Sequence, residues 1–212
     1  MTEQIFIYGA SGHAKVVIDI IERQGLYRVA FLVDDDPALW GLDFFGYPVI
    51  GGRTELMNHV APPRKAVVAI GANATRLRVA DWLCEQGFEL VSAVHPSAQV
   101  SRGVSIGTGT VVMANAVVNA ETRIGDNVII NTGATVDHDC VLDDGVHVSP
   151  GANLAGEVSI GSGSWIGIGA VVRQQISIGR ETTVAAGAAV VRDVADGVTV
   201  AGVPAAPLGL ET

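Results

Sequence analysis

Cysteine, aromatic side chains and positive charge are all scarce in this chain. The two cysteines, Cys84 and Cys140, fall in a helix-like stretch and in an inward-facing slot. No disulfide framework is therefore expected, and both read as small buried side chains in a reducing compartment. Aromatics make up only 5% of the residues, so the core must be filled by aliphatic and small side chains. With 13 Lys and Arg against 22 Asp and Glu, the net charge is −9. That balance argues against a nucleic-acid groove or an anionic membrane surface. An anionic ligand has to be met by backbone amides and single arginines. No apolar run is long enough to span a bilayer, and the start, "MTEQIFIYGASGH", has neither basic flank nor apolar leader core. A cytoplasmic protein is expected.

What is abundant is glycine and a six-residue rhythm. An aliphatic residue stands at every sixth position from Val100 through Ile106, Val112, Val118, Ile124 and Ile130 to Val184 and Val190. Neither a helix nor a single strand has that period, so the repeat itself is the structural unit. Four residues after each anchor comes a small or β-branched residue, such as Thr110, Thr122, Cys140 or Ser164. Glycine recurs directly after the anchor at Gly107, Gly125, Gly161, Gly167 and Gly179, where a tight corner leaves no room for a Cβ. Three such hexapeptides close a triangular coil, and stacked coils form a parallel β-helix with strands about 4.8 Å apart.

The first half of the chain is patterned differently. Apolar runs at Ile5–Tyr8, Val29–Val33, Ala66–Ile70 and Leu90–Val94 alternate with helical stretches. The first helix carries a stripe of Val16, Val17, Ile20 and Ile21, and the later one carries Leu77, Ala80, Leu83 and Cys84. This alternation implies a small parallel sheet, about half of a doubly wound nucleotide-binding fold. Two domains are expected, an α/β domain over residues 1–95 and an all-β helix over 96–212. Gly9-Ala10-Ser11-Gly12 joins strand to helix, where free amides suit a phosphate. Asp34, Asp35 and Asp36 close the second strand, as a ribose-binding carboxylate does. A dinucleotide dehydrogenase shares these features, but the β-helix offers no domain for a hydride acceptor.

Only His138 and His147 lie within the strict repeat. A zinc site between β-helices needs three converging histidines, so no metal is expected. With Val136 and Cys140 inward, His138 must face solvent. One coil further stands Gly156, whose bare backbone leaves space for a thin ligand and an amide for a developing oxyanion. Asp139 is placed to orient the imidazole. Arg173 and Arg192, in later coils, are suited to the phosphates of a long anionic cofactor.

Hexapeptides such as "IGTGTV", "IGDNVI" and "IGSGSW" resemble those of the hexapeptide-repeat acyltransferases, which implies a left-handed helix and a trimer. "YGASGHAK", the "DD" after the second strand, "AIGAN" and "VDHDC" together resemble the PglD-like bacterial nucleotide-aminosugar N-acetyltransferases. That resemblance implies acetyl-CoA as co-substrate, and transfer to the amine of a nucleotide-linked amino sugar of the UDP-4-amino-4,6-dideoxy type. It implies a homotrimer with active sites between subunits. It makes His138 the general base with Asp139 beside it. Asn131, His147, Gly156, Ile168, Arg173, Gly187 and Arg192 become coenzyme contacts. On the N-terminal side, Gly9, Ser11, Gly12, His13, Asp34, Asp35, Gly71 and Asn73 become sugar-nucleotide contacts. "GVPA" at Gly202–Ala205 resembles the superfamily's closing turn, followed here by Ala206-Pro207 instead of a basic residue. A sugar O-acetyltransferase of the sialic-acid type and a non-catalytic nucleotide-sugar binding protein share these motifs and stay open at this stage.

Overall fold

A computed structural model describes residues 2–208; the last four positions of the expected β-helix domain lie outside it. The chain divides into two compact units, Met1–Pro96 and Ser97–Thr212.

The first unit runs β1 (Glu3–Tyr8), α1 (Gly12–Gln24), β2 (Tyr27–Val33), β3 (Asp43–Phe44), β4 (Tyr47–Pro48), α2 (Arg53–Asn58), β5 (Lys65–Val68), α3 (Asn73–Glu85) and β6 (Glu89–Leu90). Its sheet is parallel, in the order β2-β1-β5-β6. Strand alternation sends Phe6 and Tyr8 to one face, where they join Phe31, Val33, Leu56, Val79, Leu83 and Phe88 in a single cluster. Ile5 and Ile7 face the other way and are fully buried. Gly25 ends α1 in the left-handed region at φ 70°, its amide donating to the Ile21 carbonyl.

The expected helix stripes need correction. On α1, Ala14, Val17, Ile18, Ile20 and Ile21 are buried while Val16 is 38% exposed. On α3 the buried side is Asn73, Arg76, Val79, Ala80 and Leu83, and Cys84 is exposed. On α3 the face is turned from where an apolar count put it because polar Asn73 and Arg76 take part in the buried side; on α1, Ala14 and Ile18 are buried in place of Val16.

The second unit is a parallel β-helix built from strands of two residues. Face one holds Val111–Val112, Ile129–Ile130, His147–Val148, Trp165–Ile166 and Thr183–Val184. Face two holds Gln99–Val100, Val117–Val118, Thr135–Val136, Asn153–Leu154, Val171–Val172 and Ala189–Val190. Face three holds Ser105–Ile106, Arg123–Ile124, Val141–Leu142, Ser159–Ile160 and Ser177–Ile178. Strand residues pair with those eighteen positions on, as in Thr135↔Asn153, until the last coil, where Ile178↔Val194 and Thr183↔Thr199 are sixteen apart. Anchors from Val112 to Val190 are buried. Val100 remains 40% exposed, because it belongs to the first coil and has none before it to hide it.

The second inward slot is more than a filler. Thr122 Oγ1 donates to the Asp137 carbonyl (2.8 Å) and accepts from the Cys140 amide (3.2 Å). Thr110 and Ser164 make the same relay to the next coil. These hydroxyls satisfy corner groups that the ladder leaves over, in a place water does not reach. The glycine slot has an equally local cause: a Cβ on Gly161 would lie 2.5 Å from the Arg180 amide nitrogen of the next coil. Thr122→Val keeps the shape but strands both partners. It should lower stability by about 1–3 kcal/mol in urea unfolding at fixed protein concentration, and Thr122→Ser should recover most of the loss.

Candidate functional site

His138 lies in the corner between faces two and three, directly after Val136 has turned inward. Its side chain is 53% exposed, and Nδ1 stands 2.8 Å from Asp139 Oδ2. Asp139 reaches it because the residue sits in the left-handed region at φ 59°, which aspartate tolerates better than most. That hydrogen bond is the main reason the imidazole holds its proton above the ordinary 6.5; the charges of Asp137, Asp139 and Glu157 add to it.

Asp137 is a residue that reading the motif alone passes over. Its Oδ1 accepts from Asn119 Nδ2 at 2.8 Å and from the His138 amide at 2.9 Å. Those bonds hold its carboxyl below the usual range. The available signal was Asn119, one coil earlier in the same slot. On the other side of His138, the ring rests against Gly156. A Cβ there would come within 2.6 Å of Cε1 and 2.7 Å of Nε2. Arg173 and Arg192 are exposed at the same corner further along the prism.

The remaining expected coenzyme contacts gather elsewhere. His147 is on face one, only 6% exposed, with Nε2 3.1 Å from Asn131 Nδ2. Trp165 lies parallel to it, ring centroids 5.2 Å apart and 13° from coplanar. The Gly187 amide donates to the Ile168 carbonyl at 2.8 Å. Beside them is a recess of about 270 Å³ lined by Ser149, Trp165, Ile168, Thr183 and Ala185, among others. In a triangular coil the corner between faces two and three is opposite face one. The two histidines of one chain are therefore on opposite sides of the same coil. Cys140 is fully buried and donates to the Ala155 carbonyl at 3.3 Å, and burial pushes its thiol pKa up. Among the described residues no group of three or more His, Cys, Asp or Glu is placed to hold a metal ion.

In the α/β unit, Gly9 at φ 113° lies so close to Ala69 that a Cβ would meet its carbonyl oxygen at 2.7 Å. Ser11 precedes α1 and makes no side-chain cap, and Gly12 opens the helix with clear space around it. Asp34 uses both carboxylate oxygens locally, accepting from the Ala10 amide (2.7 Å) and the Asp36 amide (2.9 Å). It braces the glycine turn. Asp35 accepts from Tyr8 Oη at 2.7 Å and lies 3.6 Å from Arg53 Nε. The Arg53 guanidinium covers the Trp82 ring at 4.7 Å. Burial, and then the Asp35 bond, push the Tyr8 hydroxyl well above its usual range.

Beneath this turn, Arg76 is 1% exposed and donates to the carbonyls of Ile70 and Gly71 and to Asn73 Oδ1. Gly71 and Asn73 are thus tied into the loop that opens α3. Buried His13 Nε2 has no hydrogen-bond partner among the described residues. Burial, helped by the charge of Arg76, pushes its pKa down to about 4, so this imidazole is neutral at physiological pH.

Residues 4–83 match the PglD N-terminal domain family, and residues 121–156 match the bacterial transferase hexapeptide family, six repeats. A perosamine N-acetyltransferase from Caulobacter crescentus, solved as a histidine variant in complex with CoA and GDP-perosamine, is 42% identical. The match covers 99% of this chain and 98% of that one, with a TM-score of 0.91. The acetyltransferase domain of PglB from Neisseria gonorrhoeae, solved with acetyl coenzyme A, is 43% identical over 98% of this chain and 100% of that one, TM-score 0.90. UDP-N-acetylbacillosamine N-acetyltransferase of Bacillus subtilis is 40% identical over 114 residues, 53% of this chain and 52% of that protein, so the match spans about half of that relative. Fold and sequence together define a hexapeptide-repeat acyltransferase. Within that class the chain belongs to the PglD-type sugar N-acetyltransferase family.

Two outcomes follow from the corner geometry. In an NMR titration the His138 ring should have its midpoint above 6.5, and Asp139→Asn should move that midpoint down, since the largest raising contribution is removed. Gly156→Ala should displace the imidazole, visible as large shifts of the His138 ring resonances while those of the α/β unit stay in place.

Proposed function

We propose that this protein transfers the acetyl group of acetyl-CoA to the amine of a nucleotide-linked amino sugar, with His138 as general base. The carrying observation is the His138 corner: an exposed imidazole bonded to Asp139 and laid over a glycine that has no side chain. The relatives crystallised with CoA and GDP-perosamine, and with acetyl coenzyme A, support the substrates. In the α/β unit the Gly9–Gly12 turn takes the diphosphate, and Asp35 is the acid with capacity left for the nucleoside. At the β-helix, His138 removes a proton as the amine nitrogen attacks the thioester carbonyl. The Gly156 amide steadies the oxyanion, the carbon–sulfur bond breaks, and CoA leaves as the thiol after the sulfur takes up a proton. The product is the amide. Inward-facing Cys140, with its raised pKa, favours direct transfer within a ternary complex over an acyl-enzyme.

Because His138 and His147 of one chain are on opposite sides of a coil, a site that uses both is assembled from two copies. A trimer closes such a head-to-tail arrangement. Arg173 and Arg192 then meet the coenzyme phosphates from the His138 side. Asn131, His147, Ile168 and Gly187 meet its acyl and pantetheine end from the neighbour.

His138→Ala should keep its fold and lose about 10²–10⁴-fold in kcat, measured by thiol release with a panel of nucleotide-linked amino sugars. Full activity in that variant would remove the proposed base, and equal turnover of hydroxyl sugars would move the enzyme to O-acetylation. Mixing His138→Ala with an inactive His147→Ala during refolding should regenerate about a quarter of the wild-type sites in random trimers. Sites confined to one chain would recover nothing.

A further inference from the structure

Each corner of the β-helix has one slot in the left-handed region, where a side chain is disfavoured. On the corners from face one to face two and from face three to face one, glycine or asparagine fills it, except at Glu181. The corner that carries His138 differs. After Gly103 its slot holds Glu121, Asp139, Glu157 and Gln175, all at φ 59–61°, and strain kept in place points to a use. Asp139 has its use as the partner of His138 Nδ1. Glu157 is the next carboxylate along. It directly follows the Gly156 on which the ring rests, and its amide donates to the His138 carbonyl at 2.9 Å. Gln175 Nε2 donates to Glu157 Oε2 at 3.2 Å, which steadies the carboxylate, and the described residues give Oε1 no such partner. The charges around the imidazole are Asp137 and Asp139 in its own coil, Glu121 in the coil before, Glu157 in the next and Arg173 in the one after. Arg173 occupies the slot of Asp137 and Glu157 that of Asp139, so the cation and the spare carboxylate stand on different sides of the corner.

We propose that Glu157 is a specificity-determining residue that selects an amine as the acyl acceptor, by holding the nitrogen's positive charge beside His138. This inference deepens the proposed function and rests on it. An amine of the α-amino kind has a pKa of about 8, so much of the acceptor arrives as ammonium and gives one proton to solvent. Attack on the thioester carbonyl then puts positive charge on nitrogen again, until His138 takes the second proton. A carboxylate beside the ring favours the nitrogen at each of these stages. A hydroxyl acceptor arrives neutral and offers Glu157 no charge to hold. The coenzyme phosphates are assigned to Arg173 and Arg192, which leaves this carboxylate for a cation.

The test compares the wild-type protein with Glu157→Gln, which keeps the length and drops the charge, and with Glu157→Asn, which suits a left-handed slot better than glutamate does. The acceptors are GDP- and UDP-linked 4-amino-4,6-dideoxy sugars, and the inhibitors are the same compounds with a hydroxyl in place of the amine. Rates are taken above the His138 midpoint, where the base is neutral in every protein. In both variants kcat/KM for the amine should fall about tenfold or more, while Ki for the hydroxyl compound and KM for acetyl-CoA stay near their wild-type values. Glu157→Asn should melt no lower than the wild-type protein, which separates the loss from one of folding. In an NMR titration the His138 midpoint should move down in Glu157→Gln, because the charge of Glu157 helps hold the proton on the ring. An unchanged kcat/KM for the amine overturns the proposal, and so does an equal loss of affinity for the hydroxyl compound. A midpoint that stays in place overturns it too, since the carboxylate would then stand too far from the ring. A wild-type protein that acetylates none of the amines takes down the proposed function, and this inference with it, before any variant is compared.

Discussion

Everything chemical in this protein is positioned by one constraint, the eighteen-residue register of the β-helix ladder. Backbone hydrogen bonds from each coil to the next fix every residue above its counterpart. A side chain's neighbours are thus set by counting. The aliphatic anchors supply the buried area that drives stacking, and the hydroxyls of Thr110, Thr122 and Ser164 finish the hydrogen bonding where the corners bend. On so stiff a frame, an exposed histidine keeps its place without packing of its own. The His138 ring needs only the bare edge of Gly156 below it and a carboxylate alongside.

Much of this was legible in the residues. The column from Val112 to Val190, the outward turn of His138 and its contact with Gly156 all follow from a period of six and a coil of eighteen. Counting reports neighbours along a column and nothing across the prism. The separation of His138 from His147 by the body of the coil, and the stacking of Trp165 on His147, needed the three faces to be assigned. Asp137 escaped for a different reason: its part is played through Asn119 and a backbone amide, and no motif marks it.

The α/β unit was less transparent where polar groups take core positions. Arg76 is buried because it serves carbonyls at the end of β5 and the start of α3, and an apolar stripe cannot reveal that. Asp34 carries the same pattern whether it binds a ribose or braces a turn. The structure shows it bracing, with Ala10 and Asp36 on its two oxygens. Asp35, one residue on, has Tyr8 and Arg53 around it. In this polar network the buried Arg76 is thus compensated by backbone carbonyls, and the exposed Asp35 by the charge of Arg53.

The strict ladder also limits how such a chain can change its length in evolution. Gaining or losing one hexapeptide between His147 and Trp165 would turn everything downstream by a third of a revolution, carrying the indole off the imidazole on which it stacks. Whole turns can be added or dropped without disturbing the angular order of the groups, so viable descendants should differ in this stretch by multiples of eighteen residues, with other insertions confined to corners that bulge outward.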